Sequence, residues 1–180
     1  MTLFLITAPS GAGKTTIASK IKKWGECISH TTRPMRDGEV EGVTYYYVNK
    51  GQFEAMDSFD EFVETVEYDG NSYGLTKVEV ERVMSKNLHA YVIVEHNGYK
   101  QIKEKYPDAV GIFLHMSKED CMANMLLRGD SLDKALARIA KYDEEMKNRD
   151  DYDYVIKNVR GKDGNVATII ENIIYSHYKQ

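Results

Sequence analysis

The fold of this chain is decided by one stretch near its amino terminus, Ala8-Pro9-Ser10-Gly11-Ala12-Gly13-Lys14-Thr15. It follows a short apolar run at residues 3–6 and precedes a helix-favouring segment at 16–24. Small residues at such a junction let backbone N–H groups converge on phosphate oxygens, and the helix adds the positive end of its dipole. In this pattern Lys14 reaches the outer phosphates and the Thr15 hydroxyl ligates Mg²⁺. Ala8 stands where the strict pattern has glycine, a change that a negative φ accommodates. We therefore predict a nucleotide-binding phosphate loop, residues 8–15.

Composition excludes several classes of protein. The chain has 180 residues, a length typical of one domain with small insertions. Its net charge of −4 and pI of about 5.8 argue against binding nucleic acid by bulk electrostatic attraction. Cys27 and Cys121 lie far apart without metal-ligand spacing, which favours reduced thiols. Neither a signal-peptide pattern nor a membrane-length apolar run is present. We expect a cytoplasmic protein without membrane or nucleic-acid partners, its oligomeric state left open.

The order of apolar runs and helical patterns predicts the architecture. Short runs rich in branched or aromatic residues occur at 3–6, 90–94, 109–114 and 154–156. Helical patterns occur at 15–24, 77–85, 99–105, 117–127, 131–148 and 164–178. This alternation predicts an α/β fold of three layers, with a parallel central sheet and helices on both of its faces. Ligands in such folds bind at the carboxyl ends of the strands.

Two segments interrupt this alternation. Residues 29–75 contain five glycines and clustered aromatic residues, which indicates an inserted lobe of short strands and turns. Residues 128–131 separate two helical patterns, and Ser131 is predicted to be the N-cap of the second helix. We interpret this second interruption as a hinged lid.

The inserted lobe contains a candidate second phosphate site. Arg33 and Arg36 lie three positions apart and are followed by Tyr45. Planar guanidinium groups donate bidentate hydrogen bonds to phosphate, and phenol hydroxyls add neutral donors. The alternative is that the arginines are solvated and the tyrosines are strand core residues. Spacing alone does not decide between these interpretations.

These motifs together resemble the guanylate kinase family over nearly the whole chain. The resemblance rests on residues 8–16, 29–48, 61–64 and 70–74, on Arg128-Gly129 with Arg138, and on residues 152–156 with Asn158. It implies a P-loop NTPase-type fold forming a single domain. Its core would comprise residues 1–28, 77–127 and 150–180, its monophosphate-binding lobe residues 29–76, and its lid about 128–149.

The resemblance also implies an activity and its residues. The expected reaction is ATP-dependent phosphoryl transfer to GMP or dGMP, with Mg²⁺ as cofactor. Catalytic cations would be Lys14, Arg33, Arg128 and Arg138. ATP would bind Ala8, Pro9, Ser10, Gly11, Ala12, Gly13, Lys14, Thr15, Thr16 and Asn158, with Thr15 holding the metal. The acceptor would bind Ser29, Arg33, Arg36, Tyr45, Glu64, Tyr73 and Glu95, with Glu64 and Ser29 reading the guanine.

Three positions depart from the family pattern. Leu75 stands where a hydroxyl residue usually helps to recognise guanine, Ile93 replaces an acidic residue, and Glu95 replaces an aspartate. Other acceptors therefore stay open, namely a different or modified deoxynucleotide or ribose 1,5-bisphosphate. A further alternative is a non-catalytic binding module, although such modules usually lack an intact phosphate loop.

Overall fold

The computed structural model describes residues 1–21 and 24–177 of the chain. These residues form eight strands and eight α-helices. In chain order they are β1 (Thr2–Thr7), α1 (Lys14–Ile21), β2 (His30–Thr31), β3 (Tyr46–Tyr47), α2 (Lys50–Ser58), β4 (Phe62–Tyr68), β5 (Asn71–Thr76), α3 (Lys77–Lys86), β6 (His89–Ile93), α4 (His96–Lys105), β7 (Val110–His115), α5 (Lys118–Leu127), α6 (Leu132–Ile139), α7 (Tyr142–Lys147), a 3-10 turn (Asn148–Asp151), β8 (Tyr154–Lys157) and α8 (Asp163–Ser176).

The central sheet is parallel, in the strand order β6-β1-β7-β8. Side chains alternate across β1, so Phe4 and Ile6 pack into one core cluster while Leu3 and Leu5 pack into the other. Helices α1, α5 and α8 contribute to the first cluster, and α3 and α4 contribute to the second. Burying each such large apolar side chain stabilises the fold by roughly 1.5–3 kcal/mol. The predicted three-layer α/β fold is confirmed, and its strands point their carboxyl ends at the phosphate loop.

The second sheet lies between His30 and Thr76, in the order β3-β2-β5-β4. Strands β4 and β5 form an antiparallel hairpin in which Tyr68 pairs with Asn71. The two residues of its turn, Asp69 and Gly70, have φ of 53° and 72°. Positive φ at both central positions is the backbone that Asp-Gly favours in two-residue hairpins, because it matches the twist of the strands.

The predicted strands and turns of this lobe are present, but the lobe also contains a helix, α2, that was not predicted from the sequence. The Asn49 side chain caps this helix by accepting from the Gln52 backbone N–H at 2.9 Å, and the Asn49 backbone N–H donates in turn to Gln52 Oε1 at 2.9 Å. Phe53 is its one buried residue, so the segment has no apolar periodicity to identify it. The sequence signal that could have predicted this helix is the capping pair of Asn49 and Gln52 at its start.

The lid prediction of a single helix at 131–148 was also wrong. The N–H of Lys141 bonds to the Arg138 carbonyl three residues back at 3.1 Å, which ends α6 in a tightened turn before α7 begins. Ile139 and Tyr142, on either side of the break, both pack against the core, so the apolar pattern continues through it. Ser131 caps α6 as expected, accepting from the Lys134 N–H.

The other predicted elements are present with shifted ends. Helix α1 begins one residue earlier than predicted and α4 three residues earlier. Residues 22, 23 and 178, which the predicted first and last helices include, lie outside the described residues, as do 179 and 180. Within the described ranges, no helix has the length and apolar character needed to cross a bilayer.

The phosphate loop packs tightly on α5. The Asn124 side-chain amide donates to the Gly11 carbonyl at 2.9 Å. Gly11 itself has φ +83°, and a β-carbon built on it would overlap the backbone carbonyl of Cys121. A glycine is therefore required here both by the backbone conformation and by the closeness of α5.

Replacing Gly11 with alanine is expected to destabilise the protein. The left-handed backbone costs an L-residue roughly 1–2 kcal/mol, and relieving the overlap adds about 1–3 kcal/mol. Gly38→Ala is the matched control, since Gly38 has φ +82° with no heavy atom within 4 Å of a built β-carbon. Urea unfolding should show a larger loss of unfolding free energy for Gly11→Ala than for Gly38→Ala. Equal losses would contradict the tight packing against α5.

Candidate functional site

Two cavities meet at the carboxyl ends of the central strands. One, of about 350 Å³, lies between the inserted lobe and the core. The other, of about 750 Å³, lies between the phosphate loop, the lid and the loop after β8. Residues that line both cavities form their common wall: Lys14, Thr15, Arg36, Glu39, Tyr68, Glu95 and Arg138. The wall places groups from the core, the lobe and the lid around one space.

The phosphate loop forms the floor of the larger cavity. Pro9, Ser10, Gly11, Gly13, Lys14, Thr15 and Thr16 line it, whereas Ala8 and Ala12 are buried behind them. The Lys14 ammonium donates to the Ala8 carbonyl and to the Glu95 carboxylate, the latter at 3.0 Å. The Thr15 hydroxyl stands at the start of α1, where unpaired helix amides favour anions.

Asn158 anchors the phosphate loop. Its side-chain amide nitrogen donates to the Ala12 carbonyl at 2.9 Å, and its own backbone N–H donates to His115 at 2.6 Å. A β-carbon on Gly13 would lie 2.8 Å from this amide, so the two residues are closely packed. Asn158 therefore holds the loop in this structure, while its predicted contact with the adenine of ATP stays a prediction.

The acceptor side is built around one ion pair in the lobe. Arg33 donates to both oxygens of Glu39, at 2.7 and 3.0 Å, and to the Pro34 carbonyl at 2.7 Å. Glu39 also accepts from the Arg36 backbone N–H at 2.8 Å and from the Tyr47 hydroxyl at 2.7 Å. Burial alone would raise the pKa of Glu39, but the hydrogen bonds from Arg33, Arg36 and Tyr47 lower it to about 2.

Aromatic rings complete this side of the smaller cavity. The Arg33 guanidinium lies 5.5 Å from the ring centre of Tyr45. Tyr45 in turn meets the ring of Tyr73 at 5.7 Å. Burial raises the pKa of Tyr45 to about 12, so its hydroxyl keeps the proton that it would donate to an anion. Ser29 and Arg36 line the same cavity, so the predicted acceptor set is brought together.

Glu64 is a buried carboxyl group that lines the smaller cavity. It lies on β4, where the pairing register shifts between Phe62 and Glu64. Such a bulge re-aims a side chain. The residue is 4% exposed, and its Oε2 has no hydrogen-bond partner among the described residues. Burial raises the pKa of Glu64 to about 7, although a backbone bond from Leu75 opposes the rise. An unpartnered buried acceptor is costly, which makes this oxygen a candidate ligand-reading group.

Gly98 lies directly behind this carboxyl group. A β-carbon on Gly98 would lie 2.7 Å from the Glu64 Oε2. The absence of a side chain at this point of α4 leaves the space that the carboxyl group occupies.

The three departures from the family pattern occupy different places. Leu75 is fully buried in the core cluster of Val63 and does not line either cavity. Ile93 lines the smaller cavity beside Glu64. Glu95 lines both cavities and accepts from Lys14.

The lid arginines share one carboxylate. Arg128 donates to Asp130 Oδ2 at 2.6 Å, and Arg138 Nη1 donates to the same oxygen at 3.1 Å. Burial would raise the pKa of Asp130, but the hydrogen bond from Arg128 lowers it. Both arginines line the larger cavity, and Arg138 lines the smaller one as well.

Sequence reasoning did not select three residues of this site. Glu39 lies within the matched stretch 29–48 but was assigned no role, although its position three residues after Arg36 was a usable signal. Tyr68 lines both cavities, and its hydroxyl lies 3.3 Å from the Ser10 Oγ. Burial raises the pKa of Glu145 on α7, although the Ser10 backbone N–H opposes the rise, and the buried Oε2 of Glu145 has no hydrogen-bond partner among the described residues. No local pattern marks either of the last two residues.

Comparison with known proteins identifies the family. The family model described as guanylate kinase matches residues 1–172 of the chain. The chain belongs to the guanylate kinase family. The guanylate kinase of Aliivibrio fischeri is 35% identical over 165 residues, covering 87% of this chain and 80% of the relative. That of Thermus thermophilus is 38% identical over 161 residues, covering 87% and 73%.

A solved structure supports the same assignment. The crystal structure of guanylate kinase from Anaplasma phagocytophilum matches with a TM-score of 0.79 and 27% identity. The match covers 98% of this chain and 86% of that one. The predicted resemblance to the guanylate kinase family is thereby confirmed, while the roles of individual residues stay predictions.

The ion pair of Arg33 and Glu39 is expected to control acid stability. Because the folded-state pKa of Glu39 lies near 2 and its ordinary value is 4.5, the stabilisation is complete above about pH 4.5 and is lost toward pH 2. A shift of this size corresponds to about 3 kcal/mol at neutral pH. Glu39→Gln should therefore be less stable than the parent by about 2–3 kcal/mol at pH 7, with little difference near pH 2.

Urea unfolding at several pH values measures this difference. Glu41→Gln is the control, since Glu41 is an acidic residue of the same lobe that accepts the Tyr47 backbone N–H at 3.1 Å. A difference between parent and Glu39→Gln that stays constant from pH 7 to pH 2 would contradict the assignment.

Proposed function

We propose that this protein transfers the γ-phosphoryl group of ATP to GMP, or to dGMP, giving ADP and the nucleoside diphosphate. One observation carries the proposal. A phosphate loop and a buried carboxyl group open into two cavities that share a wall containing Lys14, Arg36 and Arg138. Donor and acceptor phosphates bound in the two cavities would meet at that wall.

The acceptor would bind in the smaller cavity. An ionised Glu64 accepts from guanine N1–H and from the exocyclic amino group, a donor pair that adenine lacks. Its unpartnered Oε2 supports this role. Arg33, Arg36, Tyr45 and Tyr73 supply charged and neutral donors for the monophosphate.

Ser29 lines the cavity that would hold the base and would assist in reading it. Leu75, buried outside the cavity, supplies no hydroxyl for that purpose. In this proposal, base selection therefore depends chiefly on Glu64.

The donor would bind in the larger cavity. Backbone amides of the phosphate loop and of the first turn of α1 would hold the β- and γ-phosphates. Lys14 would exchange part of its contact with Glu95 for a phosphate oxygen. Asn158 would keep the loop in place beneath the nucleotide through its bond to Ala12.

The expected cofactor is Mg²⁺, and the residues present fit it. The Thr15 hydroxyl and the Glu95 carboxylate line both cavities, and oxygen donors suit this hard cation. Among residues 1–21 and 24–177, no cluster of three acidic, histidine or cysteine side chains would hold a metal alone. Mg²⁺ would therefore take its other ligands from ATP and water, and when bound it would neutralise phosphate charge.

Transfer then requires alignment and charge neutralisation rather than a base. The attacking monophosphate oxygen is already ionised, so no side chain needs to remove a proton. Lys14 and Arg33 would hold donor and acceptor in line. Arg128 and Arg138 would add positive charge from the lid and help to exclude water.

The chemistry of the thiols supports a cytoplasmic location. Cys27 and Cys121 are both free and buried. Free thiols suit a reducing compartment, and we place the enzyme in the cytoplasm.

An acceptor panel tests the activity directly. The protein with ATP and Mg²⁺ should phosphorylate GMP and dGMP far faster than AMP, CMP, UMP or ribose 1,5-bisphosphate. Lys14→Ala should lower kcat by about 10²–10³, since it removes a donor to charge that develops during transfer. Lys20→Ala is the matched control, because Lys20 lies on the same helix and pairs with Asp163 at 3.0 Å. A coupled assay of ADP release measures the rate with each acceptor. If neither GDP nor dGDP is formed, the proposed function is wrong.

Removing the charge of Glu64 should relax the choice of base. Glu64→Gln leaves one acceptor and one donor facing the guanine, so kcat/KM for GMP should fall by about 10–10². Glu67→Gln on the same strand, where Glu67 bonds to Ser72, is the control.

The pH profile of KM provides a second readout for Glu64. Below about pH 7 the parent carboxyl group gains a proton and no longer accepts from both donors, so KM for GMP should rise as the pH falls. Glu64→Gln has no carboxyl group at this position to titrate. The protonation of GMP itself affects KM of the parent and of the variant equally, so it cancels in the ratio of the two KM values. A ratio of the two KM values that is independent of pH would exclude Glu64 as the reader of guanine.

A further inference from the structure

The tip of the β4–β5 hairpin reaches across the cleft to the lid. The Asp69 carboxylate lies 3.2 Å from the Lys134 ammonium and 3.5 Å from Arg138 Nη2, both on α6. Its neighbour Tyr68 places its ring centre 5.7 Å from the Arg138 guanidinium carbon. The Tyr68 hydroxyl also lies 3.3 Å from the Ser10 Oγ in the phosphate loop. The tip of the hairpin, Tyr68 and Asp69, therefore contacts both the lid and the phosphate loop.

Arg138 is held on three sides. Asp130 fixes Nη1 at 3.1 Å, Asp69 fixes Nη2, and the Tyr68 ring lies over the guanidinium. Guanidinium has five N–H donors in one plane, and these two ion pairs use only part of that set. The side chain is 15% exposed and lines both cavities. Its remaining donors are thus available to a phosphate in the common wall.

We propose that Tyr68 and Asp69, the hairpin clasp, are positioning residues that hold helix α6 over the cleft and orient Arg138 toward the transferred phosphoryl group. The catalytic part of this inference rests on the proposed function, in which Arg138 meets that group. The contact between the clasp and the lid does not depend on any reaction.

The backbone of the turn supports this role. Asp69 has φ 53°, within the left-handed region that aspartate and asparagine adopt more readily than most residues. Hydrogen bonding and attraction from Lys134 lower the pKa of Asp69, so the carboxylate stays charged well into the acidic range. The turn thus presents a permanent negative charge to two cations of the lid.

The clasp is expected to be of moderate strength. Solvent screens an exposed ion pair, and a single such pair contributes up to about fivefold in an equilibrium constant. A clasp of this strength favours the closed lid without preventing it from opening for substrate exchange.

The first experiment measures the contact in the free protein. Asp69→Asn keeps a side chain that tolerates φ 53° but removes the charge. Asp60→Asn is a closely matched control, because Asp60 has φ 55° and pairs with Lys77 at 2.6 Å, away from the lid. Amide hydrogen exchange of residues 132–139 should become about fivefold faster in Asp69→Asn and stay at the parental rate in Asp60→Asn. Unchanged exchange in Asp69→Asn would overturn the clasp whether or not the protein phosphorylates GMP.

The second experiment tests positioning. Asp69→Asn should lower kcat for GMP phosphorylation about fivefold and leave KM for GMP unchanged. In an Arg138→Ala background the same substitution should have no further effect on kcat, because there is no guanidinium left to orient.

Tyr68→Leu should lower kcat more than Tyr68→Phe does, since only the leucine variant removes the ring over Arg138. Independent, additive effects of Asp69→Asn and Arg138→Ala on kcat would overturn the positioning role. A protein whose lid exchange responds to Asp69→Asn but which makes no GDP would overturn the proposed function and leave the clasp intact.

Discussion

Each cation predicted to take part in catalysis is held by a carboxylate of the protein. This arrangement answers a physical constraint, because a cleft that binds several phosphates needs clustered positive charge, and unpaired cations would repel one another in a partly buried site. Pairing also fixes long, flexible side chains before the substrate arrives, which lowers the entropy lost on binding. The pairs are Lys14 with Glu95, Arg33 with Glu39, Arg128 with Asp130, and Arg138 with Asp130 and Asp69.

The pairs differ in how readily a phosphate can replace the carboxylate. Glu39 accepts from Arg33, Arg36 and Tyr47 together, so it is a permanent part of the lobe that keeps Arg33 in place. Glu95 instead meets Lys14 at the common wall of the two cavities, where a phosphate can compete for the ammonium. Under the proposed function, the Arg33–Glu39 pair would organise the acceptor site, and the Lys14–Glu95 pair would hold Lys14 until ATP binds.

The parts of the structure that were predictable from sequence are those in which one local pattern has one physical solution. The apolar run before Gly11 and the helix after Lys14 leave little freedom for the phosphate loop, and the four strands of the central sheet follow from their apolar runs. Helix α2 was missed because it buries only Phe53. The break between α6 and α7 was missed because the apolar pattern continues across it.

The site shows the same division between local and distant signals. Arg33, Arg36 and Glu39 are close in sequence, and their clustering is visible before folding. Tyr68 and Ser10 are 58 residues apart, and only the tertiary fold brings them together. In the sequence, Glu64 looks like an ordinary surface residue. In the fold it is buried, because it follows the bulge in β4 and packs against α4 at Gly98.

The missing side chain of Gly98 has a consequence for the placement of Glu64. The space that it leaves is filled by the carboxyl group of Glu64, and any larger residue there would displace that group, which the proposed function assigns to reading the base. Under the proposed function, a larger side chain at position 98 would therefore alter base selection without any exchange of Glu64 itself. The first turn of α4 thus limits, from behind, the positions that the Glu64 carboxyl group can take.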